Sequence, residues 1–378
     1  MRLFIRKFKS LILIISRKKQ VTRNINYLFK YYPYYLKPGK YKYDPITGTT
    51  YKLGLDLKQL PFNVHATYRK MLTGNLIQNL ILRFFFFFIR PYGLKVFKSN
   101  KLNQFNAEFI LSRGDNGVKL FDFYQKKILT IMDANQFDEK IEEINVVNDN
   151  FNTPIKAIKK TSNVIIEDWV DFDDASQIKE KNGFKAFNQF VDDLVIFSSK
   201  YDFEKSLKIN SIDVINSLKS NPKTKQMFNL LNKNILNDLQ NLPIIFNRIN
   251  FFYDIGLGNF NIKNNQYHLI DYDGFQDIPP INVFFRILLS LSNSTKMRPI
   301  LFYKSGYFDE RLKALFAAEK SVYDSNSKDI YFVLSQLIEI YILYGNTTIS
   351  DDIIKKYVKF FKKYFSIKPN KEEIKNHF

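Results

Sequence analysis

Apolar and polar positions change rhythm along this chain, and the change divides it. From residue 93 to about 170, apolar residues fall in short runs between turn residues. That pattern predicts strands at Gly93–Phe97, Glu108–Leu111, Val118–Tyr124, Ile128–Met132 and Asn163–Glu167. One helix interrupts them at Asn135–Val147, with Phe137, Ile141, Ile144 and Val147 spaced three or four apart. After 170 the helical period dominates. Stripes run through Phe184–Phe197, Thr224–Leu239, Asn282–Leu291, Glu310–Val322, Ile330–Tyr344 and Asp352–Phe365, the last preceded by Ser350-Asp351 as a cap. A hairpin is inserted in this half: Phe260–Lys263 and Gln266–Ile270 read as strands, joined by Asn264-Asn265 as a two-residue turn. The first hundred residues are less regular, with turn-rich Tyr31–Gly39 and Asp44–Gly48. A helical stretch at Ala66–Ile89 follows, and Arg90-Pro-Tyr-Gly93 ends it. A small sheet with one helix, then a mainly helical half, predicts an α+β protein of two lobes with a cleft between them.

The hairpin carries the candidate chemistry. If Lys263 faces Gln266, then Asn259 faces Ile270, and Asn259 and Asp271 emerge at the same end of the ladder. Asp254 arrives on the loop just before. Carboxylate and amide oxygens gathered in this way suit Mg²⁺ and a phosphate. Beside Gly256 and Gly258, Asp254 and Asn259 taken singly also read as turn caps. Their pairing with a carboxylate at a strand end is what favours the metal. Asp271 directly follows the apolar strand; Asp273 reads as a second ligand or as a turn residue.

Composition narrows the field. The 378 residues are 45% hydrophobic and 16% aromatic, which is a packed protein and not a disordered one. The formal net charge of +20 favours anionic partners, although Lys-rich drift with a solvated surface explains it equally well. With no cysteine, disulfide scaffolds, thiolate metal sites and Cys nucleophiles are excluded, and His65, His268 and His377 are too scattered in sequence to argue for a His-rich zinc centre. No apolar run reaches the roughly 18 residues a membrane span needs. The longest, Leu76–Ile89, is broken by Gln78, Asn79 and Arg83, and its Phe84–Phe88 run is expected to be buried. The first nineteen residues alternate Arg/Lys clusters with Leu3-Phe4-Ile5 and Leu11–Ile15. They read as a basic amphipathic helix at an anionic membrane surface or as a terminal helix packed on the protein.

Asp254-Ile-Gly-Leu-Gly-Asn259 followed by Leu269-Ile-Asp271-Tyr-Asp273-Gly274 resembles the catalytic loop and metal-binding strand end of the protein-kinase-like phosphotransferases. The nearest branch is that of aminoglycoside and choline phosphotransferases and lipopolysaccharide-core sugar kinases. The resemblance spans residues 105 to 370. It implies a two-lobed kinase-like fold, with a small antiparallel-sheet N-lobe and a larger, mainly helical C-lobe. It also implies ATP and Mg²⁺ as cofactors. Asp254 would orient or deprotonate the acceptor hydroxyl, and Asn259 and Asp271, with Asp273 as a further candidate, would hold the metal. Asn163–Val170, with Glu167 and Trp169, looks like the hinge strand whose backbone would bond adenine; the Trp169 ring reads as a core or cleft aromatic. Pro154-Ile-Lys-Ala resembles the strand before it.

The chain departs from the family pattern at several places. Phe252 and Tyr253 replace the loop's His and Gly. Thr130 fills the slot of the phosphate-anchoring lysine, with Lys119, Lys126 and Lys127 as nearby substitutes. Glu139, Glu142 or Glu143 would be the helix acid that pairs with it. Arg113-Gly114-Asp-Asn-Gly117 stands in place of a glycine-rich loop and reads equally as a hairpin turn. The acidic stretch Asp168–Asp174 reads as a solvated loop or as an attractor for a cationic acceptor, and Arg248, Lys296 and Arg298 as anion contacts or surface charge.

The expected organisation is an N-terminal extension over 1–100, an N-lobe and hinge over 101–170, and a C-lobe over 171–378. The leading expectation is a phosphotransferase acting on a hydroxyl of a small molecule or glycan. The resemblance tilts it toward a cell-surface polysaccharide or lipopolysaccharide sugar, handled in the cytoplasm or peripherally at the inner membrane face. An inactive kinase-like scaffold is the alternative. A basic nucleic-acid-binding protein is a third reading, prompted by charge and aromatics but without a legible motif.

Overall fold

The computed structural model describes the chain except residues 1, 45, 62–63, 66–67, 70–75, 98–104, 113–116, 133, 154–163, 171–177, 205, 230, 232, 242–243, 253–254, 256–258, 271–273, 295–297, 345–350 and 369–378. It is a mixed α+β protein of two compact units: Met1–Asn145 with Pro154–Phe172, and Val146–Thr153 with Asp173–Phe378.

The first unit is built on a seven-stranded sheet in the order β3-β1-β2-β4-β5-β6-β7, with every pairing antiparallel. The strands are β1 (Gly39–Asp44), β2 (Thr49–Lys52), β3 (Lys95–Val96), β4 (Phe109–Ser112), β5 (Val118–Asp122), β6 (Lys127–Ile131) and β7 (Val164–Asp168). β4 to β7 fall where the alternation predicts strands, within a residue or two at their ends. β1 and β2 lie in the stretch the sequence pattern left as turns. The first hundred residues thus supply β1, β2 and β3 to the same sheet as the expected N-lobe strands.

Both faces of the sheet are covered, which is why Phe109-Ile-Leu-Ser112 is buried at every position. One face packs Ile110, Val118, Leu120, Leu129, Ile131 and Val164 against Val21, Ile25 and Leu28. Those three lie on helix α1 (Arg2–Tyr31), spaced to form one stripe, so the C-terminal half of α1 is a core helix. The other face packs Phe109, Leu111, Phe121 and Trp169 with Leu60 and Val64. At the end of the β4–β5 connection Gly117 has φ +78°, and a Cβ there would lie 2.1 Å from the Ile131 carbonyl oxygen. Only glycine fits that approach.

Helix α2 (Leu76–Phe87) corrects one expectation. The Phe84–Phe88 run is not a buried element: Phe86 is buried, but Phe84, Phe87 and Phe88 are exposed. Successive helical residues rotate about 100°, so five consecutive phenylalanines cannot share one inward face. Helix α3 (Ala134–Asn150) follows β6 and buries Phe137, Ile144 and Val147, as its stripe predicts.

In the second unit helices dominate, beside a short antiparallel ladder of β8 (Lys208–Asn210) and β9 (Ile245–Asn247). The helices are α4 (Glu180–Ser199), α5 (Ser211–Ser220), α6 (Pro222–Phe228), α7 (Lys233–Asn241), α8 (Pro280–Ser294), α9 (Pro299–Ser305), α10 (Asp309–Ala318), α11 (Lys328–Tyr344) and α12 (Asp351–Ser366). The single helix expected over Thr224–Leu239 is two, α6 and α7. Asn221 caps α6 by accepting from the Lys223 N–H at 3.0 Å, and Pro222 starts it, where its missing N–H costs nothing. α8 is buried on almost every side through Ile281, Val283, Phe284, Phe285, Ile287 and Leu288. An apolar pattern without a polar face is that of a central helix. Ser350 of the expected cap lies outside the described residues, and Asp351 opens α12. Among the described residues no helix is long and apolar enough to cross a membrane.

Candidate functional site

Two short ladders of the second unit frame the predicted site. β10 (Ile249–Phe252) pairs antiparallel with β13 (Phe275–Ile278), ending in the pair Phe252↔Phe275. Between them in sequence, β11 (Phe260–Lys263) pairs with β12 (Gln266–Leu269), with Lys263↔Gln266 at the turn and Phe260↔Leu269 at the open end. Asn264 and Asn265 both have positive φ, 52° and 65°, as a two-residue hairpin turn that follows the strand twist requires. The Ile270 N–H donates to the Asn259 carbonyl at 2.9 Å, so the predicted 259–270 pairing is present. Asn259 is buried at the hairpin mouth. Asp254, Asp271 and Asp273 lie outside the described residues. Among those described, no group of three acids or histidines could hold a metal ion.

The hairpin is held from beneath by a polar contact set that sequence reasoning missed. Tyr267, fully buried on β12, donates from its hydroxyl to Asp193 Oδ2 on α4. The same hydroxyl accepts the Asn152 N–H at 2.9 Å, and the Asn152 amide donates to the Tyr267 carbonyl at 2.6 Å. The Leu269 N–H donates to the Asn152 carbonyl at 3.0 Å, so the strand that leads into Asp271 is bonded on its outer side as well. Phe260 stacks on Tyr267 at 5.7 Å between centroids, and Phe190 meets both edge-on. Burial raises the Tyr267 phenol and the Asp193 carboxyl alike, while the hydrogen bond from Tyr267 pulls Asp193 down. The only sequence signal was a tyrosine inside an apolar strand, whose hydroxyl must find a partner. Tyr267→Phe is expected to leave Asp193 and the Asn152 N–H short of a partner and to lower stability by about 2–3 kcal/mol. Chemical denaturation checks this.

Phe252, where the resembled loop has histidine, is fully buried with its ring 4.6 Å from Phe251 and 6.2 Å from Phe275. That position is packing here. A cavity of about 620 Å³ lined by Lys185, Gln189, Asp192, Asp193, Asn265 and Arg311 lies toward the hairpin turn, at the opposite end of the ladder from Asn259. Arg248 donates to the Leu207 carbonyl at 3.4 Å, and Arg298 pairs with Glu180 at 3.2 Å. Both sequence-proposed anion contacts therefore have protein partners. Lys296, Tyr253, Gly256, Asp171, Asp173, Asp174 and the Pro154–Ala157 stretch lie outside the described residues, as do Arg113 to Asn116.

In the first unit the sheet register sorts the candidate nucleotide residues. Lys119 pairs with Thr130, and Thr130 with Ile165; Phe121 pairs with Ile128, and Ile128 with Glu167. Directly opposed residues share a face. Lys119, Thr130 and Glu167 are therefore on the side of Phe121 and Trp169. Lys127 pairs with Asp122 and Asp168, in line with Leu120, Leu129 and Ile131 on the α1 side. The register thus separates the two lysines. Thr130 is buried, and its hydroxyl has no hydrogen-bond partner among the described residues. The Trp169 ring is a core aromatic, packed 5.4 Å from Phe121 and 5.7 Å from Phe123, while the backbone N–H of Trp169 donates to the Lys126 carbonyl at 2.7 Å. Of the helix acids, Glu139 and Glu142 are exposed, and Glu143 pairs with Lys140 on its own helix at 3.2 Å.

No family model matches the chain, and no curated protein matches it. It is similar to solved structures. One is a macrolide 2′-phosphotransferase type I, at 11% identity over 71% of this chain and 93% of that one, with a TM-score of 0.37. Another is a choline/ethanolamine kinase family protein from Mesorhizobium loti, at 10% identity over 69% and 87%, with a TM-score of 0.36. A third is a spectinomycin phosphotransferase in complex with ADP and spectinomycin, at 9% identity over 70% and 87%, with a TM-score of 0.32. At such identities and TM-scores these likenesses carry no argument.

Proposed function

We propose that the chain is an ATP-dependent phosphotransferase whose acceptor is a hydroxyl of a small molecule or glycan. The observation that supports it most is the double ladder. Phe252↔Phe275 and Phe260↔Leu269 close both ends of the two segments that carry Asp254 and Asp271. Asp254 follows Phe252 by two positions, and Asp273 precedes Phe275 by two. Asp271 follows Ile270, itself bonded to Asn259. Such short tethers confine the reach of these side chains. An amide and carboxylates are hard oxygen donors of the kind Mg²⁺ takes, so the residues fit the metal.

In this reading Asn259 and Asp271 would hold Mg²⁺, with Asp273 as a further candidate ligand. The ion, when bound, offsets the negative charge of the nucleotide phosphates. Asp254 orients the acceptor hydroxyl and takes its proton on a carboxylate oxygen as the hydroxyl oxygen bonds to the γ-phosphorus, while the bond from that phosphorus to the β–γ bridging oxygen breaks and ADP leaves with the electron pair. The Tyr267–Asn152–Asp193 contacts keep the β12 end in place, which matters because positioning carries most of the rate in phosphoryl transfer. In the first unit, the backbone of Glu167 to Trp169 is assigned to the base, and Lys119, not Lys127, to the phosphates. The finer reading, a sugar of a cell-surface polysaccharide or lipopolysaccharide, rests on the motif resemblance. The experiment is a thermal shift with ATP and Mg²⁺; its absence in the wild-type chain overturns the reading.

A second reading is favoured by two observations. Phe252 is packed where a catalytic-loop histidine stands in the resembled family, and Thr130 fills the lysine slot. It makes the chain a nucleotide-binding scaffold without turnover. ADP release from ATP in the absence of acceptor, with water standing in for the hydroxyl, separates the two. The enzyme reading expects turnover that Asp254→Ala removes, and the scaffold reading expects none.

A further inference from the structure

Helix α2 presents an apolar face to solvent. Leu76, Ile77, Leu80, Ile81, Phe84, Phe87 and Phe88 recur three or four apart, and they are 76%, 67%, 58%, 43%, 67%, 59% and 65% exposed. Among its described residues, Leu82 and Phe86 are the buried ones. A contiguous apolar surface of this kind is rare on a protein that meets only water.

Its surroundings are cationic. α2 contains no acidic residue. Arg83 borders the face, and the Arg90 guanidinium lies 4.8 Å from the Phe87 ring and 5.8 Å from that of Tyr92. Beside the helix opens a cavity of about 650 Å³, lined by Lys42, Arg83, Phe86, Phe87 and Arg90. Asp44 also lines it, but its carboxylate already accepts from the Ile46 N–H and the Tyr68 hydroxyl, both at 2.9 Å.

We propose that α2 is a membrane-docking helix, seated in the plane of an anionic bilayer. Phe84, Phe87, Phe88 and the aliphatic residues enter the acyl boundary, while Arg83, Arg90 and Lys42 meet lipid phosphates. An apolar stripe flanked by arginines, on a helix of only 12 residues, fits a segment that lies in the interface and does not cross it. Charge chooses the bilayer over a second copy. A two-fold self-contact would set Arg83, Arg90 and Lys42 against their own images on a chain of net charge +20. An anionic surface offers them counter-charges. The docking is independent of the proposed phosphate chemistry.

Co-sedimentation of the full chain tests it, with vesicles of phosphatidylcholine alone or with about one-third phosphatidylglycerol, an anionic lipid that attracts basic segments. The wild-type chain is expected to bind the anionic vesicles about tenfold or more tightly than the neutral ones. Phe84→Glu with Phe87→Glu is expected to weaken that binding about tenfold or more. Arg83→Ala with Arg90→Ala is expected to weaken it about 25-fold, at roughly fivefold for each cation near the surface. All four side chains face solvent, so thermal midpoints, and any shift with ATP and Mg²⁺, should match wild type. Three results would overturn the proposal: no preference for anionic vesicles; binding that survives both α2 variants and is lost when Arg6, Lys7 and Lys9 of α1 become alanine; or a solution dimer that the Phe84/Phe87 variant dissociates.

Discussion

Asp271→Ala is expected to abolish the rise in thermal midpoint that ATP with Mg²⁺ produces, and to weaken metal-dependent nucleotide binding about 100-fold or more by calorimetry. The reason is the shortage of alternatives. In the proposed site Asn259 would bring a neutral amide, so the Asp271 carboxylate would supply the charge that draws a divalent cation toward the nucleotide phosphates. Asp273→Ala distinguishes the remaining roles. A loss close to that of Asp271→Ala makes Asp273 a ligand, and a negligible loss makes it a turn residue. Asp271 is a single polar residue following an apolar strand in the sequence, so its removal should leave the unliganded stability within about 0.5 kcal/mol of wild type. Retention of the full ATP–Mg²⁺ shift in Asp271→Ala would end the phosphate reading.

Lys119→Ala is the second large effect. If Lys119 meets the phosphates as proposed, its loss is expected to weaken ATP about 30- to 100-fold, whereas Lys127→Ala should be near neutral. Register alone separates the two lysines. Lys119 is the direct cross-strand partner of Thr130, so the two exchange places across one ladder position without leaving their face of the sheet. Lys127 is on the other side, in line with Leu129 and Ile131, which pack against α1. A sharper form is the exchange Lys119→Thr with Thr130→Lys, which returns the charge to the strand where the resembled family keeps it. Binding restored to within a few-fold of wild type supports a phosphate role for this row. A restored fold without restored ATP affinity would sink it. Because Thr130 is buried with no bonded partner for its hydroxyl among the described residues, a lysine there must send its ammonium outward along the face, as long basic side chains do.

The hairpin mouth was legible because hairpin geometry is local. A two-residue turn sets every pairing above it, so counting from Asn264-Asn265 to the 259–270 pair needs no tertiary information. Lysine selection was not legible. On sequence alone Lys119, Lys126 and Lys127 were equivalent, since the face each takes depends on which strand pairs with which and in what register. Nor could the phenylalanine run be placed. Five apolar residues in a row give no phase, and burial was the default where the fold buried one face and left the other to solvent.

What the sequence determined by itself was the set of local periods: the strands from β4 to β7, the stripes of α3, α4, α8 and α11, and the hairpin with its open end. Each follows from alternation or from turn residues within a few positions. Contacts between distant parts of the chain came instead from packing. The first hundred residues joined the sheet, the second half of α1 became a core helix, and Tyr267 found Asn152 and Asp193 at separations of 115 and 74 residues. Such contacts depend on which surfaces meet once the elements have formed, and no spacing within a single element encodes them.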